Sequence, residues 1–141
     1  MKNRKSQMFY YELQARGYEL DSYGHVNNAV YLNYTEQARW ELFRKLGLLD
    51  EIVSSGKKIV IVENRIKYIR QVKLFDEIIV ETWMEKSAHF LLFMHVLSNK
   101  QTGKPVAKVK VKTVFIDENN KPCDIPGSLL PILKTEKNEN E

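Results

Sequence analysis

Val30-Tyr-Leu-Asn-Tyr-Thr-Glu-Gln-Ala-Arg-Trp-Glu-Leu-Phe-Arg-Lys-Leu46 is the one long stretch of this chain whose apolar residues recur with helical spacing. Tyr31, Tyr34, Thr35, Ala38, Leu42 and Leu46 share one face at intervals of three and four, as in a helix that buries one side. Glu36, Gln37, Trp40 and Arg44 lie largely opposite. Glu41 and Lys45 lean toward the apolar edge, at an i,i+4 spacing that lets them pair. Arg44 and Lys45 suit the negative end of the helix dipole, and Gly47 is a natural stop. Ahead of the helix, Asn27 and Asn28 stand where an N-cap belongs, since their side chains can accept from free backbone N–H groups.

Outside that helix the chain reads as strands. Met8 to Ala15 is a short β-like run, and Lys58 to Ile69 is rich in Ile and Val. Glu77 to Lys86 puts Ile78, Val80, Thr82 and Met84 on one face. His89 to Leu97 is nearly all apolar. Lys104 to Asp117 alternates Ala107, Val109, Val111, Thr113 and Phe115 against Lys108, Lys110 and Lys112. Asn99 to Lys104, with Gly103, reads as a hairpin turn. One helix followed by meandering strands is an α+β pattern. Strands of nine or ten residues reach about 30 Å, long enough to curl around a helix. The expected architecture is an antiparallel sheet wrapped around one long central helix, a single domain over 1–133 with a polar tail at 134–141.

With 141 residues, 43% hydrophobic and 28% charged, the chain has the balance of one soluble globular domain. A net charge of +4 favours an anionic partner without choosing one. The single cysteine, Cys123, cannot form an internal disulfide. Residues 1–7 are basic and polar, and no segment approaches the ~20 apolar residues that span a bilayer. Cytoplasm is the expected location, with no membrane and no nucleic-acid partner.

The chemistry is concentrated in Asp21-Ser-Tyr-Gly-His-Val-Asn-Asn-Ala-Val-Tyr-Leu-Asn-Tyr34. A carboxylate stands a few residues before a helix N-terminus, where free amide groups and the helix dipole favour negative charge. A carbonyl docked there would be polarised as its oxygen gains charge. Asp21 could attack its carbon or activate a water. Gly24 lets the chain turn sharply and approach a ligand.

The pattern Asp-x-x-Gly-His-x-Asn-Asn-x-x-Tyr-x-x-Tyr, followed by Glu36 and Arg39, resembles the hotdog-fold thioesterases of the 4-hydroxybenzoyl-CoA thioesterase class. Its His25-Val-Asn-Asn28 core is also similar to acyl-carrier-protein thioesterases. Downstream, Ile66-Lys67-Tyr68-Ile69-Arg70 resembles the family's second-strand motif, and Asp76-Glu77 sits where the next strand starts. The resemblance covers residues 8 to 126. It implies hydrolysis of an acyl-CoA to a free acid and CoA, with Asp21 as nucleophile or general base. It implies substrate contacts around Gly24, His25 and Asn28, the backbone N–H of Asn28 meeting the thioester carbonyl. It further implies a homodimer, often a dimer of dimers, with sites at subunit interfaces and no metal or bound cofactor. The alternatives are an acyl-carrier-protein thioesterase and a non-catalytic acyl-binding hotdog protein. Two positions depart from the family pattern: Gln71 where proline is usual, and Phe75 where glycine is usual.

Other residues read more plainly. Glu36 and Arg39, at i,i+3, suggest a surface or interface ion pair. Glu63 interrupts an apolar strand and reads as a charge facing solvent or an interface. His89 and His95 read as packing or edge residues, and with Cys123 they lack metal-ligand spacing. The Lys108, Lys110, Lys112 row reads as a solvated edge. Some of that row, or Lys67, Arg70 and Lys73, are the candidates for the phosphates of CoA.

Overall fold

The helix expected from the periodicity forms over the same residues. In the computed structural model, which describes residues 7–135, α1 spans Val30–Leu46 and buries Tyr31, Tyr34, Thr35, Ala38, Leu42 and Phe43. Its end is set by Gly47, whose φ of 71° lets its N–H return to the Arg44 carbonyl at 3.1 Å. Its start differs from expectation. Ala29 holds the N-cap position with no side-chain bond, because Asn27 spends its side chain one step earlier. Asn27 Oδ1 accepts the Ala29 N–H at 3.0 Å and the Asn27 carbonyl accepts the Val30 N–H at 2.9 Å, a closed Asx turn ahead of the helix. Glu41 pairs with Arg44 rather than Lys45. Lys45 instead reaches the Tyr10 carbonyl at 2.9 Å and pins α1 to the first strand.

Around α1 runs a sheet of β1 (Phe9–Gln14), β2 (Lys58–Tyr68), β3 (Glu77–Ser87), β4 (Phe90–Asn99) and β5 (Pro105–Ile116), in the order β1-β3-β4-β5-β2 and antiparallel throughout. A short helix, α2 (Leu49–Ser54), links α1 to β2; at six residues it is too brief to show a period. Two-residue strands complete the sheet: β6 (Pro122–Cys123) beside β5, and β7 (Lys134–Thr135) parallel to β3. The pairing of β7 lies two residues beyond the expected limit of the domain. The rest of the expected tail, 136–141, and the basic start, 1–6, lie outside the described residues.

Alternation along the strands sends Val80, Thr82 and Met84 of β3, Phe93 and Leu97 of β4, and Val109, Val111 and Phe115 of β5 into the core with α1. Phe43 meets Phe93 edge-on at 5.9 Å between centroids. At the edge of the sheet β2 is different. Val60, Ile61 and Val62 are 38%, 45% and 50% exposed, and the pairing with β5 shifts register between Ile61 and Glu63. No helix among the described residues is long and apolar enough to cross a membrane.

Leu42, 1% exposed at the centre of the buried face, tests the packing. Leu42→Ala is expected to lose about 2–5 kcal/mol of stability in urea unfolding; a loss near zero would mean that α1 does not fill the sheet.

Candidate active site

Residues 21–25 form a small, heavily stitched loop. The Asp21 N–H donates to the His25 carbonyl at 2.8 Å, and Leu20 pairs with Val26. The Gly24 N–H donates to the Asp21 carbonyl at 3.1 Å, closing a turn in which Gly24 has φ 83°. A Cβ there would meet nothing within 4 Å, so glycine is needed for conformation and not for space. The Asp21 carboxylate faces the same turn. Its Oδ1 accepts the N–H groups of Tyr23 at 2.8 Å and His25 at 3.2 Å, and its Oδ2 has no partner among the described residues.

The loop is tied to the body from both sides. His25 bridges to Lys73, and the Val26 N–H donates to the Val72 carbonyl at 2.8 Å. On the other side the Asn27 N–H donates to the carbonyl of Glu19 at 2.9 Å. Glu19, 5% exposed, is a residue that sequence reasoning missed. Its Oε1 accepts the Tyr34 hydroxyl at 2.6 Å and the Arg16 N–H at 2.9 Å, while Oε2 accepts Arg16 Nε at 3.0 Å. Burial, and then the Glu19 carboxylate, hold the Tyr34 hydroxyl protonated far above its ordinary range. The available signal was Arg16-x-x-Glu19 in a short turn beside the motif.

Asp21, His25 and Asn28 line one open cleft of about 810 Å³, with Tyr31 of α1, Tyr68 at the end of β2 and Arg70 just beyond that strand. That volume suits a small-molecule site. Gly24 is not on its wall and contributes through the turn. Tyr68 stands edge-on to Tyr31 at 5.1 Å and donates its hydroxyl to the Asn28 carbonyl at 3.0 Å. The Asn28 N–H, by contrast, donates to nothing among the described residues. A free amide and a fixed carboxylate therefore border the same cleft at the head of α1.

The remaining candidates lie elsewhere. Arg39 does not fold onto Glu36 as expected. Its Nη1 lies 3.3 Å from His95 Nε2, and its guanidinium sits over the Phe93 ring at 5.7 Å. His95, 1% exposed, has Nδ1 2.8 Å from Thr82 Oγ1. Burial first, and then the Arg39 charge, push its pKa down to about 3, so the ring is neutral, with Nε2 accepting from Arg39. Glu63 is exposed on β2 and pairs with Arg65 at 3.3 Å. Lys112 lies over Phe90 at 4.2 Å. No group of three or more His, Cys, Asp or Glu among the described residues could hold a metal ion.

Residues 16–133, most of the chain, match the thioesterase-like superfamily. The chain belongs to that family. It is 33% identical over 120 residues to the chloroplastic acyl-acyl carrier protein thioesterase ATL3 of Arabidopsis thaliana, over 84% of this chain and 63% of that protein. It thus spans less than two thirds of the length of that relative. It is 28% identical to the long-chain acyl-CoA thioesterase FadM of Escherichia coli, over 84% of this chain and 91% of that protein. Among solved structures, a 1,4-dihydroxy-2-naphthoyl-CoA thioesterase from Synechocystis superposes with a TM-score of 0.82 at 21% identity, covering 90% of this chain and 96% of the other. The sheet wrapped on α1 is the hotdog fold.

The depressed pKa of His95 has a measurable consequence. The unfolded chain takes up a proton on this histidine as pH falls below about 6.5, while the folded chain resists until about 3. Its contribution is therefore complete above the unfolded value and is lost as pH falls through that window, by at most ~1.4 kcal/mol per pH unit. In urea titrations between pH 6 and 4, His95→Gln is expected to flatten the slope by about one proton. Identical slopes would show that His95 titrates normally in the fold.

Proposed function

We propose that the chain hydrolyses acyl-CoA thioesters, with Asp21 as nucleophile or general base. The observation that carries this is the juxtaposition of the Asp21 carboxylate, held by two backbone N–H groups, with the undonated Asn28 N–H across one cleft. A thioester carbonyl accepting from Asn28 would sit in the cleft that Asp21 also lines, and the positive end of α1 would favour charge on its oxygen. By one route Asp21 Oδ2 attacks, the thiolate leaves, and water cleaves the resulting mixed anhydride. By the other, Asp21 takes a proton from the attacking water and returns it to the departing thiolate. Both give a carboxylic acid and a free thiol. His25 and the Gly24 turn shape the wall beside the reacting carbon. Neither route calls for a metal or a bound cofactor.

CoA as the carrier is supported by Arg70 on the cleft wall and by exposed Lys67 and Lys73 on the same segment, cations suited to phosphate. An acyl-carrier protein is the alternative, and the ATL3 similarity favours keeping it. Exposed Val60, Ile61 and Val62 on the unpaired edge of β2 support a homodimer built by pairing two such edges, its site opening at Tyr68 on the same strand. The lone half-buried Cys123 fits a reducing compartment such as the cytoplasm.

The test is thiol release from a panel of acyl-CoAs. Asp21→Asn keeps an oxygen for the Tyr23 and His25 amides, so the loop should persist while kcat falls about a hundredfold or more. Turnover equal to wild type would remove Asp21 from the chemistry. Separately, Ile61→Asp is expected to shift sedimentation toward a single chain; an unchanged assembly would place the interface away from β2.

A further inference from the structure

Because a peptide unit is planar, the direction of the Asn28 N–H is set by the bonds that hold its own plane and the next. Its own plane carries the Asn27 carbonyl, which accepts the Val30 N–H at 2.9 Å. The next plane carries the Ala29 N–H, bound by Asn27 Oδ1 at 3.0 Å, and the Asn28 carbonyl, which accepts the Tyr68 hydroxyl at 3.0 Å. Val30, the donor to the first plane, follows the second, so the two planes move together. Upstream, the Asn27 N–H donates to the Glu19 carbonyl at 2.9 Å. Among the described residues, the Tyr68 hydroxyl is the one donor that the sheet supplies to residues 27–30. Asn28 and Ala29 are exposed, so without that hydroxyl the carbonyl would bond to mobile water.

The hydroxyl comes from a rigid support. Tyr68 is the last residue of β2 and pairs with the buried Ala107 of β5. One residue further on, the Ile69 N–H donates to the Val106 carbonyl at 2.8 Å, so the strand end stays fastened. The edge-on contact with buried Tyr31 at 5.1 Å fixes the direction of the ring. A tyrosine hydroxyl has one proton to donate, and here the Asn28 carbonyl receives it. Tyr68 therefore lines the cleft without a proton to give to a substrate. We propose that Tyr68 is a positioning residue for thioester hydrolysis, holding the Asn28 carbonyl so that the neighbouring Asn28 N–H is fixed for the thioester oxygen. This rests on the hydrolase reading and adds to it the group that orients the donor. A donor set in advance costs no reorganisation as charge develops, whereas one that must first turn loses part of its effect. The tie crosses 40 positions, from the edge strand to the head of α1.

The experiment compares wild type with Tyr68→Phe in two ways. One is steady-state thiol release from the acyl-CoA that wild type turns over fastest; the other is the amide proton–nitrogen spectrum without substrate. Phenylalanine keeps the ring contact with Tyr31, so the β5 amide resonances are expected to stay in place. Those of Asn28 and Ala29 are expected to shift or broaden. The expected fall in kcat is about tenfold, smaller than the roughly hundredfold or more for deleting such a donor outright. KM is expected to stay within about twofold, since the interaction weakened is one made in the transition state. An unchanged kcat, with or without a raised KM, would overturn the proposal. Unmoved Asn28 and Ala29 resonances would overturn it too, and displaced β5 amides would do so by assigning the hydroxyl to the fold. Wild type separates this proposal from the reading beneath it. If wild type releases no thiol from any acyl-CoA, the hydrolase assignment falls and the role of Tyr68 with it. If wild type turns over and Tyr68→Phe equals it, the role of Tyr68 alone falls.

Discussion

One buried carboxylate holds the site to the fold. Glu19 is removed from water, which is costly for a charge unless its oxygens are met by donors. Here they are met by the Tyr34 hydroxyl and by the backbone and guanidinium of Arg16. Its own carbonyl then accepts the Asn27 N–H just ahead of the helix. The same residue therefore fixes the turn before the Asp21 loop, the buried face of α1, and the chain's entry into that helix. Asp21 has no such anchor of its own. Its position follows from a loop whose two ends are fastened, one to Glu19 and one to Val72 and Lys73.

The fold separates a packed region from an open one. Over β3, β4 and β5 the sheet closes on α1, and even its buried polar groups, His95 and Thr82, satisfy one another. Toward β2 it opens, leaving apolar side chains and an unpaired edge beside the cleft. Chemistry placed at that boundary combines rigid support with access for a ligand. The Asn28 group illustrates this: its carbonyl is held by Tyr68 of β2, while its N–H donates to nothing among the described residues.

Local patterns were legible where local physics decided the outcome. The helical period gave α1 to the residue, and two-residue alternation gave the inward faces of β3 and β5. The clustering of Asp21, His25 and Asn28 was readable because they fall within eight residues ahead of one helix start. What escaped depends on partners distant in sequence. Tyr34 meets Glu19 across 15 positions, Tyr68 meets Asn28 across 40, and Arg39 meets His95 across 56. Arg39 shows why i,i+3 spacing from Glu36 does not settle where a side chain goes: Glu36 still acts on it through space, but an aromatic ring and a buried imidazole offer the guanidinium its close contacts. The cap at Ala29 escaped for a smaller reason, since Asn27 can serve a turn or a cap with the same oxygen.

The Asp21 carboxylate is held in place by its loop, and that loop through the anchor at Glu19. Amide hydrogen exchange at Tyr23 and His25, the two N–H groups that hold that carboxylate, measures this directly in wild type and in Tyr34→Phe. Both amides are expected to be protected in wild type, and to lose protection when the Tyr34 hydroxyl is removed while the β4 and β5 amides keep theirs. Free exchange of both amides in wild type, or full protection retained in Tyr34→Phe, would contradict it.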